Sequence, residues 1–214
     1  MKKYELTSNF VINSFGEKLF QIKATVDFGI VKKGELGGYI ESEKNLTQND
    51  NAWVSGNAWV SGNACVSGNA WVSDDACVYG NARVSDNAWV SGNARVSGDA
   101  CVYGNAWVSD NAKVSGDARV SDNARVSGNA EVSRNADYAT ISGFWSEYRT
   151  TTFFRNRSGQ IEVRCGCFYG TIEEFRAKVK QTHGETKKAI EYLKVADLME
   201  YHFSKEEEEK KVEE

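Results

Sequence analysis

The chain has 214 residues and a net charge of −4, and its hydrophobic share of 41% is ordinary for a globular protein. The slightly acidic balance disfavours broad nucleic-acid binding, and no apolar run approaches the length that spans a membrane. No signal-like segment follows the N-terminus, and the five cysteines lack the spacing of a secreted disulfide framework. We therefore expect a cytoplasmic protein in a reducing compartment.

Residues 1–50 predict a small β-rich lead-in that caps the open end of the repeat that follows. Residues 19–24, LFQIKA, are typical of a strand, and Gly37-Gly38 indicates a turn. Ile40 and Leu46 are six residues apart. Their spacing suggests that the repeat starts there, with two extra residues before its regular phase at Val54.

Residues 51–140 consist of in-phase hexads of the form Asn/Asp-Ala-x-Val-Ser/Tyr-Gly/Asp/Arg. Fourteen are regular and end at Arg134, and a fifteenth, degenerate one has Tyr138 in the valine slot. In each hexad, Ala and Val should point inward from a short strand and the variable residue x outward. One hexad cannot bury its own Ala and Val, so the hexads must stack as coils.

The unit Val54-Ser55-Gly56-Asn57-Ala58-Trp59 resembles that of the hexapeptide-repeat family of parallel β-helices. The resemblance implies a left-handed, triangular helix with three hexads per coil, about five coils in all. The segment GELGGYIESEKNL, and CGCFYGTIEEFRAKVKQTHG near the other end, resemble uncharacterised bacterial and prophage members of that family. The expected fold class is therefore an all-β parallel β-helix with a small α+β cap at its C-terminal end.

Residues 141–204 predict that cap, and residues 205–214 a charged, solvated tail. Two strand-like runs, 148–155 and 161–168, flank a hairpin turn at 156–159. Thr171 and Glu174 form a capping box that opens one helix, Gly184 ends it, and Thr186 opens a second helix through about Phe203.

The strongest candidate site is a column of tryptophans. With three hexads per coil, four of the five tryptophans in the outward slots align, and an arginine follows them. Stacked indoles of this kind would form an apolar strip that binds another copy of the protein, a partner protein or a flat ligand. The alternative is that a terminal segment folds back and covers the strip. The predicted binding residues are Trp53, Trp71, Trp89, Trp107 and Arg125.

The same alignment predicts two weaker basic stripes, Arg83 with Arg119 and Arg95 with Lys113, which we interpret as solvated charge. Cys65 and Cys101 would lie two coils apart, too far for a disulfide, so we expect free thiols.

The C-terminal region offers two further candidates. If Arg149, Arg155 and Arg164 converge, they form an anion site, although ordinary exposed strand charge is the favoured interpretation. Cys165, Cys167 and His183 lack a fourth metal ligand at convincing spacing. We therefore predict no metal or other cofactor, and interpret both cysteines as small buried residues on one strand face.

The family resemblance allows an acyltransferase that uses acetyl-CoA, but fold alone does not imply function. The only histidines, His183 and His202, lie outside the hexads, which run without an inserted loop. Acyl transfer commonly needs a positioned base, so we favour a non-enzymatic protein that self-associates as a dimer or trimer or binds a partner. A phage- or prophage-type accessory factor that blocks a host protein or captures a nucleotide-like signalling molecule is a further hypothesis.

Overall fold

The hexads build a β-solenoid of about five coils, seen in a computed structural model that describes residues 2–144 and 150–204. Each hexad contributes a two-residue strand made of x and Val, and each strand pairs in parallel with the strand three hexads later. Three strands therefore complete one coil. These strands, β4 to β17, are Trp53–Val54, Trp59–Val60, Cys65–Val66, Trp71–Val72, Cys77–Val78, Arg83–Val84, Trp89–Val90, Arg95–Val96, Cys101–Val102, Trp107–Val108, Lys113–Val114, Arg119–Val120, Arg125–Val126 and Glu131–Val132.

The interior of the solenoid is filled by the Ala and Val of every regular hexad, from Ala52 to Val132, all of them buried. This confirms the predicted inward slots. At the corners, the last residue of the hexad has positive φ, as at Gly56 (φ 64°) and Asp74 (φ 59°). Glycine reaches this region without strain and aspartate tolerates it, which explains why these two residue types dominate the position.

The lead-in extends one face of the solenoid. Strands β1 (Tyr4–Ile12), β2 (Lys18–Ala24) and β3 (Leu36–Ile40) continue an eight-stranded sheet in the order β1-β2-β3-β5-β8-β11-β14-β17. Ile40 pairs with Val60 and Leu46 with Val66, twenty residues apart rather than eighteen. The repeat therefore starts at Ile40 with two extra residues before Val54, as the spacing suggested.

Gly37 and Gly38 lie inside β3, so the predicted turn there is wrong. Both are buried, and each meets the neighbouring coil closely: a Cβ on Gly38 would lie 2.4 Å from the carbonyl oxygen of Ala58. A Cβ on Gly37 would lie 2.5 Å from a side-chain carbon of Ile22. Close packing, rather than a chain reversal, requires glycine at both positions.

The C-terminal region forms an antiparallel sheet of β18 (Tyr138–Ile141), β19 (Thr151–Arg155), β20 (Ile161–Cys165) and β21 (Phe168–Thr171). Helices α1 (Ile172–His183) and α2 (Lys187–Phe203) follow, with the predicted caps at Thr171, Gly184 and Thr186. The hairpin of β19 and β20 and both helices are thus confirmed. Within the described chain, no helix is long and apolar enough to cross a membrane.

The fifteenth hexad leaves the solenoid, which corrects the prediction that it forms another rung. Residues Asn135–Asp137 form a short 3-10 helix, and Tyr138 opens β18. The Asn135 side chain accepts from the Arg119 N–H (2.8 Å), and the Tyr138 hydroxyl donates to the Arg119 carbonyl (2.5 Å). These groups bond the open edge of the last coil.

The C-terminal sheet closes the same end of the solenoid. The Arg125 N–H donates to Thr152 Oγ1 (2.9 Å), Asn156 forms a β-bridge with Ala130, and Phe154 packs into the solenoid core. The other face of that sheet packs Phe153 and Val163 against the two helices.

Candidate functional site

The structure places all five predicted binding residues in adjacent rungs of one sheet. Trp53 pairs with Trp71, Trp71 with Trp89, Trp89 with Trp107, and Trp107 with Arg125. Because the register is exact to the residue across four pairings, the outward side chains lie one above another.

Three of the four indole N–H groups of this column donate to serines of the preceding coil. Trp71 Nε1 donates to Ser55 Oγ at 3.0 Å, and Trp89 Nε1 donates to Ser73 Oγ at 3.2 Å. In the next coil, Trp107 Nε1 donates to Ser91 Oγ at 3.3 Å. Each serine precedes its tryptophan by sixteen residues, so the repeat itself supplies the acceptor. The bonds fix the ring orientation and leave these indole N–H groups satisfied without an external partner.

Two of the indoles are stacked and exposed. The ring centroids of Trp89 and Trp107 are 5.4 Å apart with planes 13° apart, and the Arg125 guanidinium carbon lies 5.6 Å from the Trp107 centroid. Trp89 is 45% exposed and Trp107 39%. We call Trp71, Trp89, Trp107 and Arg125 the Trp strip. The facing sides of Trp89 and Trp107 are occupied by each other, which disfavours insertion of a flat ligand between them.

Trp53 is not part of the exposed surface, so its prediction as a binding residue is corrected. It is fully buried beneath Tyr4 and Phe28 of the lead-in, with ring centroids 6.4 and 5.4 Å away. The lead-in therefore covers the first rung of the column and leaves later rungs open. Trp53 Nε1 is buried with no hydrogen-bond partner among the described residues.

A second aromatic cluster, which was not predicted, lies on a neighbouring face. The tip of the β1–β2 hairpin places Phe15 6.1 Å from Trp59 and 5.2 Å from Tyr79, and Trp59 stacks on Tyr79 at 5.6 Å. Trp59 and Tyr79 stand in outward slots of adjacent coils, which is the signal in the sequence. This cluster holds the hairpin against the solenoid.

One corner of the solenoid carries a ladder of asparagines that was also not predicted. Each side-chain amide donates Nδ2 to Oδ1 of the asparagine one coil later, at 3.0 to 3.3 Å. The signal is the same residue every eighteen positions, two residues before each member of the Trp column. The asparagine ladder consists of Asn51, Asn69, Asn87, Asn105 and Asn123.

The basic stripes lie on the other two faces, as their slots predicted. Arg83 and Arg119 pair on either side of Cys101, and Arg95 pairs with Lys113. Within residues 2–144 and 150–204, none of these four cations takes part in an ion pair of 4.0 Å or less. Arg83, Arg95 and Arg119 are exposed, and Lys113 is half-buried.

The cysteines of the described chain are all free. Burial raises the pKa of the Cys77 thiol to about 11, against a smaller lowering by Arg95. Burial also raises the pKa of Cys65. Both thiols are therefore weak nucleophiles near neutral pH, because the thiolate is the reactive form.

Arg155 and Arg164, two members of the alternative anion site, do not converge. Arg164 pairs with Thr152, and Arg155 pairs with Ile161, so alternation along the strands puts the two arginines on opposite faces of the sheet. Arg155 donates to the Phe203 carbonyl, whereas the Arg164 guanidinium carbon lies 5.9 Å from the Tyr169 ring centroid. The third residue, Arg149, lies outside the described residues.

The two cysteines of the C-terminal sheet differ. Cys165 is partly buried against the cluster that holds the helices, whereas Cys167 is exposed in the tight turn before β21, so its predicted burial is wrong. Gly166 reverses the chain with φ 59°, which ends the strand before Cys167. His183 stacks on Tyr192 with centroids 5.5 Å apart. Among the described residues, no three His, Cys, Asp or Glu side chains are grouped to hold a metal ion.

Comparison with known proteins shows that the repeat is similar to a β-solenoid repeat. The profile of a family described as YdcK beta solenoid repeat matches residues 58–74, 76–92, 90–104, 94–110, 112–128 and 118–134. Every matched stretch lies within the hexads, and neither terminal region is included. No curated protein matches the chain. The repeat is thus similar to that of a β-solenoid family, and the match carries no information about activity.

Proposed function

We propose that this protein is a non-catalytic binding scaffold and that the Trp strip is its contact surface for another protein, either a second copy in a dimer or trimer or a different partner. The observation that carries the proposal is the stacked, exposed pair Trp89 and Trp107, whose N–H groups already bond within the sheet. Such a surface presents apolar edges and demands no polar partner for its indoles.

Rigidity supports this use of the surface. The strip stands on strands whose backbone groups bond to the coils on either side, as in Trp89 N–H to Ala106 O (2.9 Å). The inward valines beneath it are fully buried. A preorganised aromatic surface loses little conformational entropy on binding, and aromatic residues and arginine are enriched at protein interfaces.

The position of the lead-in also supports a contact at this level of the solenoid. The lead-in covers Trp53 but leaves Trp89 exposed two coils further along. A contiguous apolar surface on a folded protein commonly marks an interaction site. The strip ends at Arg125, whose charge limits the apolar surface and would orient an incoming acidic group.

The alternative, an acetyl-CoA-dependent acyltransferase, lacks a histidine base in the solenoid. His183 stacks on Tyr192, and His202 lies 5.0 Å from Phe203 in centroid distance, both in the helical region. Turnover of acetyl-CoA that depends on a carboxylate of this chain would displace the scaffold proposal.

The proposal is tested by replacing Trp89 and Trp107 with serine together. We expect the double variant to lose its assembly mass in sedimentation and its partner in affinity capture from the source cell, while circular dichroism shows an intact solenoid. The matched control replaces Arg83 and Arg119, two outward residues of another face, with serine. Unchanged mass and unchanged capture in the tryptophan variant would refute the proposal.

The same capture experiment also tests the narrower hypothesis of a phage-type accessory factor. A single host protein captured by the wild type and lost with the Trp strip would support a blocking role. Mass spectrometry of the purified protein tests the signalling-molecule version, which requires a co-purified nucleotide-like compound.

A further inference from the structure

The outer edge of β1 is an open strand edge at the N-terminal end of the solenoid. β1 is the terminal strand of the eight-stranded sheet, is nine residues long and is exposed from Ser8 to Ile12. At the opposite end of the solenoid, Thr152 and Asn135 side chains bond the last rungs. Long apolar edge strands are templates for pairing with another chain.

The backbone pattern shows which groups of β1 point outward. The Asn13 N–H donates to the Glu17 carbonyl at 3.0 Å, and the Thr25 N–H donates to the Lys3 carbonyl at 2.9 Å. The register between β1 and β2 shifts between Leu6 and Phe10, so the pattern is read separately on each side of that irregularity. Beyond it, Val11 and Asn13 face β2 with their backbone groups, and Phe10 and Ile12 direct their N–H and C=O groups outward. Side-chain groups of Gln48 already bond both outward groups of Tyr4.

Further along the strand, the outward groups of Phe10 and Ile12 have no partner among the described residues. Their side chains are 51% and 57% exposed, and Val11 on the opposite face is 38% exposed. On the same face, Phe10 pairs with Phe20, and the Lys18 ammonium lies 3.9 Å from the Phe10 ring centroid. The exposed segment is thus an apolar stretch of three residues with four free backbone groups.

We propose that a second copy of this chain pairs with β1 in antiparallel fashion about a two-fold axis at Val11. In that register, Phe10 of each copy lies opposite Ile12 of the other, and the four free groups of each copy form four N–H···O bonds in all. The directly opposed side chains are an aromatic and a β-branched residue, a favourable cross-strand pair. Asn9 then faces Asn13 of the other copy, so no like charges meet within the paired segment.

The area sets the strength of this dimer. Phe10, Val11 and Ile12 expose roughly half of each side chain, and burying them on both copies removes only a few hundred Å² from water, less than the roughly 1,200 Å² of a stable standard interface. The dimer is therefore weak and concentration-dependent, with a dissociation constant on the order of micromolar or weaker. It does not use the Trp strip and stands independently of the proposed function.

Sedimentation equilibrium of the full chain over a wide concentration range tests the proposal. Ile12→Pro removes the outward N–H while proline remains compatible with an edge strand, and it should lower the association constant at least about tenfold. Ile30→Lys, at an exposed apolar residue outside the strands, is the matched control and should dimerise like the wild type. Circular dichroism verifies that each variant is folded.

The variant lacking Trp89 and Trp107 separates the two proposals. Retention of the weak dimer in that variant, together with its loss in Ile12→Pro, supports edge pairing whatever the outcome for the Trp strip. A wild type that stays monomeric at the highest concentration overturns edge pairing, as does an Ile12→Pro variant that dimerises normally. If association is lost only in the variant lacking Trp89 and Trp107, the contact between copies belongs to the Trp strip, and edge pairing is overturned.

Discussion

A second corner of the solenoid carries an interrupted ladder of the same kind, and it predicts that one substitution increases stability. On the second corner, Asn57 Nδ2 donates to Asp75 Oδ1 at 3.1 Å, and Asn93 donates to Asn111 at 3.3 Å. Between Asp75 and Asn93 the described structure has no such bond, because an ionised carboxylate has no proton to donate. Asp75→Asn supplies the missing donor and should join the four residues into one ladder.

The expected gain follows from one added hydrogen bond between neutral side chains. At an exposed corner, we expect this bond to stabilise the protein by about 0.5–1 kcal/mol. For a chain of this length, that corresponds to a rise in melting temperature of roughly 1–4 °C. The reciprocal change, Asn87→Asp, removes the donor to Asn105 (3.1 Å) and places a carboxylate against an amide oxygen, so it should cost about 1 kcal/mol.

Thermal unfolding followed by circular dichroism measures both changes. Asp75→Ala is the control, because it removes the same charge without restoring the donor. Repeating the measurement at high salt separates a charge effect, which salt screens, from a neutral hydrogen bond. Equal stabilisation by Asp75→Ala and Asp75→Asn, or no loss in Asn87→Asp, would refute the reasoning.

Three further predictions concern the lead-in and the thiols. Gly38→Ala should destabilise the protein by about 3 kcal/mol in denaturant unfolding, because the new Cβ would lie 2.4 Å from a backbone oxygen. A loss below about 1 kcal/mol would contradict the close packing of Gly38 against the next coil. Cys77, whose pKa is raised to about 11 by burial, should react with iodoacetamide near neutral pH far more slowly than the exposed Cys167, as read by peptide mass spectrometry. Burial lowers the pKa of Lys3 from 10.5 to about 8, although the charge of Asp50 opposes this shift. Between pH 8 and pH 10.5 the unfolded chain therefore binds more protons than the folded one, and the free energy of unfolding should rise with pH across that window. This rise should be absent in Lys3→Met. Identical pH profiles of stability for the wild type and Lys3→Met would contradict the prediction.

Features that repeat could be predicted from the sequence. The hexad period determines which residues point inward, and the register carries the four tryptophans and Arg125 into one column. Local capping signals at Thr171 and Gly184 located both ends of α1. Such signals act within a few residues, so the sequence contains them in full.

Features that depend on contacts distant in sequence were missed. Burial of Trp53 requires Tyr4 and Phe28 to fold over it, and no period relates these residues. The sheet faces on which Arg155 and Arg164 lie depend on strand register, because a shift of one residue moves every side chain to the opposite face.

Hydroxyl-radical footprinting read by mass spectrometry tests most directly whether the Trp strip is the contact surface. The oxidation of each tryptophan is compared between the dilute protein and the assembled or partner-bound protein. Trp89 and Trp107 should become several-fold less reactive on assembly, while buried Trp53 stays unreactive and Tyr103, exposed on another face, is unchanged. Equal oxidation of Trp89 and Trp107 in both states, with protection elsewhere, would contradict the account.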